Sequence, residues 1–485
     1  MTNTISIPLW LVIIGSVFAV IAFFSHFLFP SVRWFFRRST NKAIDTANKR
    51  LPFKLPNLTL TKRQVLIERL VYDTDVMQAA TLHSQSSGEP MSVTMEKVER
   101  YAKEIVPTFN AKVYFQFGNW ICKKILQLLY RVRLGYSAEE KLANLDDKSS
   151  IVLVMNHRSN VDYILVAYLA MQQTALSYAV GEWARVWPLE PLIKSLGAYF
   201  VRRGSGNPLY RRVLERYVQM AVEGGVVQAV FPEGGLSRDG NFREPKIGLL
   251  DYMLRHYDPD GERDIVFVPV GLNYDRVLED KNLLSENDPN AVKRSGRSVV
   301  FTTIKFVFKN FWLMLRKKWY RFGYAAANFG EPFSLKAYLA ENEWKPKELE
   351  REQRIERVQD LADDLIEQIA GVVPVLPVSL VATVLSQKPE TDFSFEELQN
   401  EVDYLAEQLR THHAHVYVPR QDPEYGFEVG LRMLVLRGLV LEMGEEHGHT
   451  EKSYRMNPEQ SAVVEYYANT IRYLVERSRP NELIA

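Results

Sequence analysis

Cysteine is nearly missing from this chain: one residue, Cys122, in 485. That excludes an internal disulfide framework and any cysteine-based metal site. It also allows a reducing, cytoplasmic setting for the bulk of the protein. A surplus of charge of either sign is missing too. Sixty Lys and Arg stand against 59 Asp and Glu, so the balance gives no argument for nucleic acid or for a strongly acidic partner. The sequence has no repeat of solenoid period, no low-complexity tract and no Gly-X-Ser-X-Gly nucleophile elbow. The composition is globular, which excludes a disordered chain and a multi-span membrane protein. The length allows roughly two to four packed units, one with a sizeable core.

Long apolar runs are scarce, with an exception at the N-terminus. From Ile7 to Leu28 only Pro8, Gly15, Ser16, Ser25 and His26 interrupt the apolar residues. As a helix, that length crosses the roughly 30 Å hydrocarbon layer, and Pro8 falls where a helix tolerates it. A cleaved signal peptide would need a positive start, a shorter apolar core and a small-residue cleavage site, none of which is seen. Met1–Ser6 carry no charged side chain, whereas Arg33, Arg37, Arg38 and Lys42 follow the run. Positive-inside bias then predicts a single-pass anchor in the cell membrane, with the remainder on the cytoplasmic side.

Residues 50–57 read as a linker, and 62–145 as mainly helical with a polar break at Ser84–Pro90. Within that region, Trp120–Tyr130 is apolar and aromatic beside lysines and arginines. It fits either a membrane surface or packing on a neighbouring domain. Beyond Ser149 short apolar runs alternate with helical stretches. Ile151–Met155, Val226–Phe231 and Ile265–Val270 read as buried strands, with helices over Asp162–Gln172 and Leu209–Glu223 between them. That rhythm predicts an α/β domain with a central mixed, largely parallel sheet flanked by helices. Phe301–Phe322 mixes aromatics with Lys305, Lys309 and Arg316, which suits either anionic lipid or an ordinary surface helix. The C-terminal part reads as helix (Glu396–Thr411), short strand (His415–Val418), helix (Glu428–Arg437) and hairpin. That order is winged-helix-like but lacks a basic stripe, so nucleic acid is not an expected partner. The expected division is an anchor (1–31), a helical N-terminal region (32–145), a catalytic α/β domain (146–345) and a mostly helical C-terminal domain (346–485).

The chemistry-bearing residues follow the first buried strand: Asn156-His-Arg-Ser-Asn-Val-Asp-Tyr163. In one continuous helix, His157 and Asp162 would lie on different faces. They meet if His157 sits in the loop and a helix starts near Ser159 or Asn160, both good N-caps. Asp162 would then fix the imidazole tautomer, as a general base needs. Spacing alone fits a structural histidine better. Three further loops follow the apolar runs. Gly197-Ala-Tyr-Phe-Val-Arg-Arg203 leads into Gly204-Ser-Gly206, and Glu233-Gly-Gly-Leu-Ser-Arg238 is followed by Pro245-Lys-Ile-Gly248. Val268-Pro-Val270 runs into Gly271-Leu-Asn-Tyr-Asp-Arg-Val-Leu-Glu279. Arginine forks and adjacent glycines suit phosphate. His412, His413 and His415, and His447 and His449, are solvated turns by pattern, and no metal is expected.

In this order the four segments resemble the motif set of the glycerolipid acyltransferases, most closely the bacterial membrane-bound glycerol-3-phosphate acyltransferases. Tyr466-Tyr-Ala-Asn-Thr-Ile471 is similar to that family's tail. The resemblance implies acyl transfer from acyl-CoA or acyl carrier protein to the sn-1 hydroxyl of glycerol 3-phosphate, the first step of phospholipid synthesis, without a cofactor. Acylation of 1-acylglycerol 3-phosphate is the alternative within the class. A lipid-binding or scaffolding membrane protein without turnover is the alternative outside it. The resemblance makes His157 the base and Asp162 its orienting partner. It gives the phosphate to Arg203 and Arg238, with Arg202 and Lys246 behind them. Arg158, Ser159, Glu233, Gly234 and Gly235 would shape the pocket, with Pro269 on the acyl-donor side. The chain departs from the family at Leu236, where arginine is frequent, which moves phosphate contacts towards Arg243 or Lys246.

Overall fold

The apolar run after Ser149 forms the middle of a sheet because it can be buried on both faces. In the computed structural model, which describes residues 57–111, 113–146, 148–171, 174–181, 189–202, 204–285, 321–444 and 452–479, this strand is β2 (Ser150–Met155), buried at every position. The expected anchor over Ile7–Leu28 and nearly all of the 50–57 linker lie outside the described residues. So do Arg203, His447, His449 and Phe301–Tyr320. Among the described residues, no helix is long and apolar enough to cross a membrane.

The main sheet runs in the order β1-β7-β6-β2-β5-β3-β4, with β8 (Phe333–Ser334) added against β6. Its strands are β1 (Arg131–Ser137), β3 (Ser177–Gly181), β4 (Ala198–Val201), β5 (Gln228–Val230), β6 (Ile265–Tyr274) and β7 (Tyr324–Phe329). Pairings from β6 through β2 and β5 to β3 and β4 are parallel, as is β1 with β7. The pairs β6–β7 and β6–β8 are antiparallel. Parallel strands need helices on both faces, hence the unbroken apolar runs of β2 and β6. On one face Leu153 and Met155 join Leu126, Leu129, Leu165 and Val166 from helices Asn119–Leu129 and Asp162–Ala170. On the other, Val152, Val154 and Phe267 join Val213 and Val218 of helix Pro208–Glu223, and Leu361 and Leu365 of helix Arg351–Gly371.

The sheet corrects three expectations. Arg131–Ser137, read as part of a helical region, is a strand; it is an edge strand with one neighbour, mostly exposed, so its sequence alternates Arg-Val-Arg-Leu without an apolar run. The helix expected to start on Ser159 or Asn160 begins at Asp162, with Val161 as its uncapped N-cap. The two candidate caps are drawn away by the carboxylate of half-buried Glu279: Ser159 Oγ donates to it at 2.7 Å and Asn160 Nδ2 at 3.1 Å. The short strand expected at His415–Val418 is a single bridge, Val375 to Val416. Pro419 follows at once and has no N–H with which to continue a ladder.

The C-terminal part starts from the buried helix Pro377–Gln387. A two-residue strand β9 (Phe393–Ser394), helices Phe395–Thr411 and Pro423–Leu436, and strands β10 (Val440–Met443) and β11 (Ser453–Met456) follow. The small antiparallel sheet β10-β11-β9 closes it, in the helix and hairpin order the sequence pointed to. Helix Ser461–Asn469 then packs against Pro377–Gln387.

Asp275, at the end of β6, joins these parts. Its carboxylate accepts from Tyr324 N (2.7 Å) and Val378 N (3.2 Å), and burial pushes its pKa up to about 7. A carboxyl held above its unfolded value of about 3.9 binds more protons in the native state. Its contribution to stability therefore falls as pH rises from about 4 to about 7. Relative to Asp275→Asn, the wild-type Tm is expected to drop by several degrees across that window, as read by calorimetry at each pH. A pH-independent difference would show that Asp275 is already ionised at the acid end.

Candidate functional site

His157 leaves the carboxyl end of β2, and the first turn of the next helix brings Asp162 back to it. The Asp162 carboxylate is saturated. Oδ2 accepts from His157 Nδ1 (2.9 Å), Arg158 N (2.7 Å) and Ser159 N (3.0 Å). Oδ1 accepts from the hydroxyl of Tyr274 at 2.5 Å. A carboxylate only accepts, so Nδ1 carries the proton and Nε2 presents its lone pair. Tyr163 Oη lies 3.4 Å from Nε2. The imidazole stacks on Phe231 with ring centroids 4.2 Å apart, and both His157 and Asp162 are almost wholly buried. Burial raises the pKa of Tyr274, and the neighbouring Asp162 charge adds to the effect, so its phenol remains a donor.

The Glu-Gly-Gly box holds the backbone of this turn. Glu233 Oε1 accepts from His157 N (2.9 Å) and Oε2 from Arg243 N (3.1 Å), while Ser237 N donates to His157 O (2.9 Å). Burial raises the pKa of Glu233, opposed first by the Arg158 charge. Gly234 takes φ of 62°, and a Cβ there would lie 2.6 Å from Lys246 Cγ, so this turn favours glycine twice over. Arg158 is fully buried. Its guanidinium donates to Gly240 O and Asn241 O and lies over the ring of Phe242. It ties the His157–Asp162 turn to the loop that follows Glu233–Arg238.

His157 lines a cleft of about 560 Å³. One part of its wall is apolar (Val180, Val201, Leu214, Val230, Phe231, Leu249), and Arg202, Arg211 and Lys246 supply the cations. Gly234 also lines it, next to buried Gly235. Arg202 is already committed: its guanidinium makes a two-pronged pair with Glu104 (2.8 and 2.6 Å) and lies over Tyr101 and Tyr210. Arg238 is exposed and does not line the cleft. Arg243 is half-buried, with Nη1 donating to Leu236 O at 3.2 Å. Leu236 packs against the core. Pro269 is buried inside β6, paired in register with Val154 and away from the cleft lining. Arg203 lies outside the described residues. His412, His413 and His415 do not group into a metal site among the described residues.

Sequence reasoning missed Tyr274, Glu279 in its contact role, and Glu104. The first two stand in the Gly271–Glu279 run, where a phenol at the end of a buried strand and a carboxylate shortly after it were a usable signal. Glu104 lies 98 residues from its partner and gave none.

Fold and site together define a class: an α/β protein with a buried, hydrogen-bonded His–Asp pair at the carboxyl end of a largely parallel sheet, where ligands of such sheets gather. Residues 136–273 match the family described as Acyltransferase, and residues 308–476 the glycerol-3-phosphate acyltransferase C-terminal region. Relatives named glycerol-3-phosphate acyltransferase include one from Aeromonas hydrophila, 27% identical over 436 residues (87% of this chain, 50% of the relative). One from Pseudomonas aeruginosa is 30% identical over 362 residues (72% and 41%), and one from Xylella fastidiosa 26% over 362 (73% and 41%). The chain thus carries an acyltransferase domain and a glycerol-3-phosphate acyltransferase C-terminal region, and over most of its length it is similar to bacterial proteins of that name, the family its motifs resemble. It spans about half the length of the curated relatives it matches.

Proposed function

We propose that this protein transfers a fatty acyl group from an acyl thioester to the sn-1 hydroxyl of glycerol 3-phosphate. The observation that carries the reading is the buried dyad beside a cleft that pairs apolar walls with cations. Nε2 of His157 takes the hydroxyl proton as the oxygen attacks the thioester carbonyl. Asp162, held by four donors, stabilises the imidazolium. The carbon–sulfur bond then breaks, and the thiolate of coenzyme A or acyl carrier protein recovers the proton. No protein nucleophile is needed, and Cys122 is a buried thiol in helix Asn119–Leu129. Lys246 and Arg211 are the cleft cations that make no ion pair among the described residues, which suits them to the acceptor phosphate now that Leu236 fills an arginine position. Residues 7–28 would hold the chain in the membrane with the cleft on the cytoplasmic side, a reading supported by the apolar run and the basic flank after it.

The test offers glycerol 3-phosphate and 1-acylglycerol 3-phosphate with labelled acyl-CoA and, separately, acyl carrier protein thioester, to membranes carrying the protein. The expected product is labelled 1-acylglycerol 3-phosphate from the first acceptor. Product only from the second acceptor, or free acid without either, would overturn the reading.

A further inference from the structure

The tail sequence Tyr466-Tyr-Ala-Asn469 has no part in the chemistry above, yet its helix reaches the catalytic turn by two routes. On the first, the hydroxyl of Tyr467 accepts from Val277 N (3.1 Å) and from Arg437 Nη1 (2.9 Å), and donates to Asp280 Oδ2 (2.5 Å). Arg437 also pairs with Asp280. All three side chains are buried or nearly so. They pin the loop 275–280, which carries Glu279. Glu279 in turn takes the side chains of Ser159 and Asn160, the turn whose N–H groups at Arg158 and Ser159 hold Asp162 Oδ2. Tyr274, immediately before that loop, holds Oδ1.

The second route runs under Arg158. Its guanidinium is received by Gly240 O and Asn241 O. The turn offering those carbonyls rests on the same tail helix: Asn469 Nδ2 donates to Asp239 O at 2.9 Å, and a Cβ at Gly240 would lie 2.0 Å from Tyr466 O. Gly240 has φ of 89° and therefore favours glycine on conformational grounds as well. Both ends of the turn between His157 and Asp162 are thus supported by residues about 300 positions away in sequence.

We propose that Tyr467, with Arg437 and Asp280, is a positioning element for the His157–Asp162 dyad, so that the C-terminal region completes the catalytic site. None of these residues touches the reacting atoms. They act through Glu279 and the 158–160 turn. A group held slightly off its productive geometry costs turnover rather than substrate affinity. Tyr467→Phe removes one hydroxyl and keeps the ring. The expected result is a fall in kcat of tenfold or more with both KM values within about twofold. Amide exchange in peptides covering 156–163, read by mass spectrometry, should quicken without global unfolding. Tyr473→Phe removes a hydroxyl from the same region, bonded there to Glu367, and should change neither readout. Arg437→Lys keeps the charge and loses the fork; it should move both readouts in the same direction, and it covers the case in which Tyr467→Phe does not fold.

The assay rests on the acyl-transfer reading, but exchange does not. A wild type without transfer activity sinks that reading and leaves the 156–163 exchange to decide this one. Unchanged exchange with kcat within twofold of wild type would overturn the proposal, as would an equal loss in Tyr473→Phe.

Discussion

His157→Ala is expected to lower kcat for acyl transfer to glycerol 3-phosphate by on the order of 10³-fold, with KM for the acceptor little changed. A positioned base contributes roughly 10²–10⁴-fold, and among the described residues Nε2 of His157 is the acceptor nitrogen that the site prepares for this role. The fold should survive. Asp162 keeps Arg158 N, Ser159 N and the Tyr274 hydroxyl as donors when the imidazole is gone, so no carboxylate is stranded. The lost stacking on Phe231 should cost about 1–2 kcal/mol. Measuring the Tm beside initial rates separates the outcomes: full activity in a folded protein would remove His157 from the mechanism.

The second large effect divides at one position. Asp162→Asn leaves an oxygen where Oδ2 now accepts three hydrogen bonds, and Tyr274 can accept from the new amide. Geometry is retained and the negative charge is lost. A drop in kcat of about 10²-fold or more is expected, with little change in Tm, because the imidazolium loses its counter-charge. Asp162→Ala removes the acceptor altogether. Arg158 N, Ser159 N, His157 Nδ1 and the Tyr274 hydroxyl are left without it in a buried setting. Each orphaned group costs about 1–3 kcal/mol, so this variant should lose both activity and several degrees of Tm. Equal melting of the two variants would mean that water fills the gap and that the carboxylate organises the turn less than its four contacts imply.

How much of this was legible beforehand depended on where each signal was stored. Buried strands announce themselves, since two covered faces require runs such as Ile151–Met155 and Ile265–Val270. An edge strand with one neighbour has no such requirement, which is why Arg131–Ser137 read as something else. The dyad was ambiguous by spacing and became firm through Arg158, Glu233 and Tyr274, whose contacts hold a loop that no local rule describes. Capping rules favoured Ser159 and Asn160, and they lost to a single carboxylate 120 residues later in the chain.

By itself the sequence determined the alternation of strands and helices and the order of four polar loops, with His157 and Asp162 as neighbours in the first of them. These are local properties, fixed by hydrophobic period and by side-chain chemistry within a few residues. Only the tertiary structure decided that Arg202 is occupied by Glu104, that Pro269 is sheet interior rather than pocket wall, and that Tyr467 and Arg437 brace the catalytic turn. Each of these depends on a hydrogen bond, an ion pair or a strand pairing between distant segments. Such contacts are set by how the sheet and helices pack, and they leave no periodic trace in the chain.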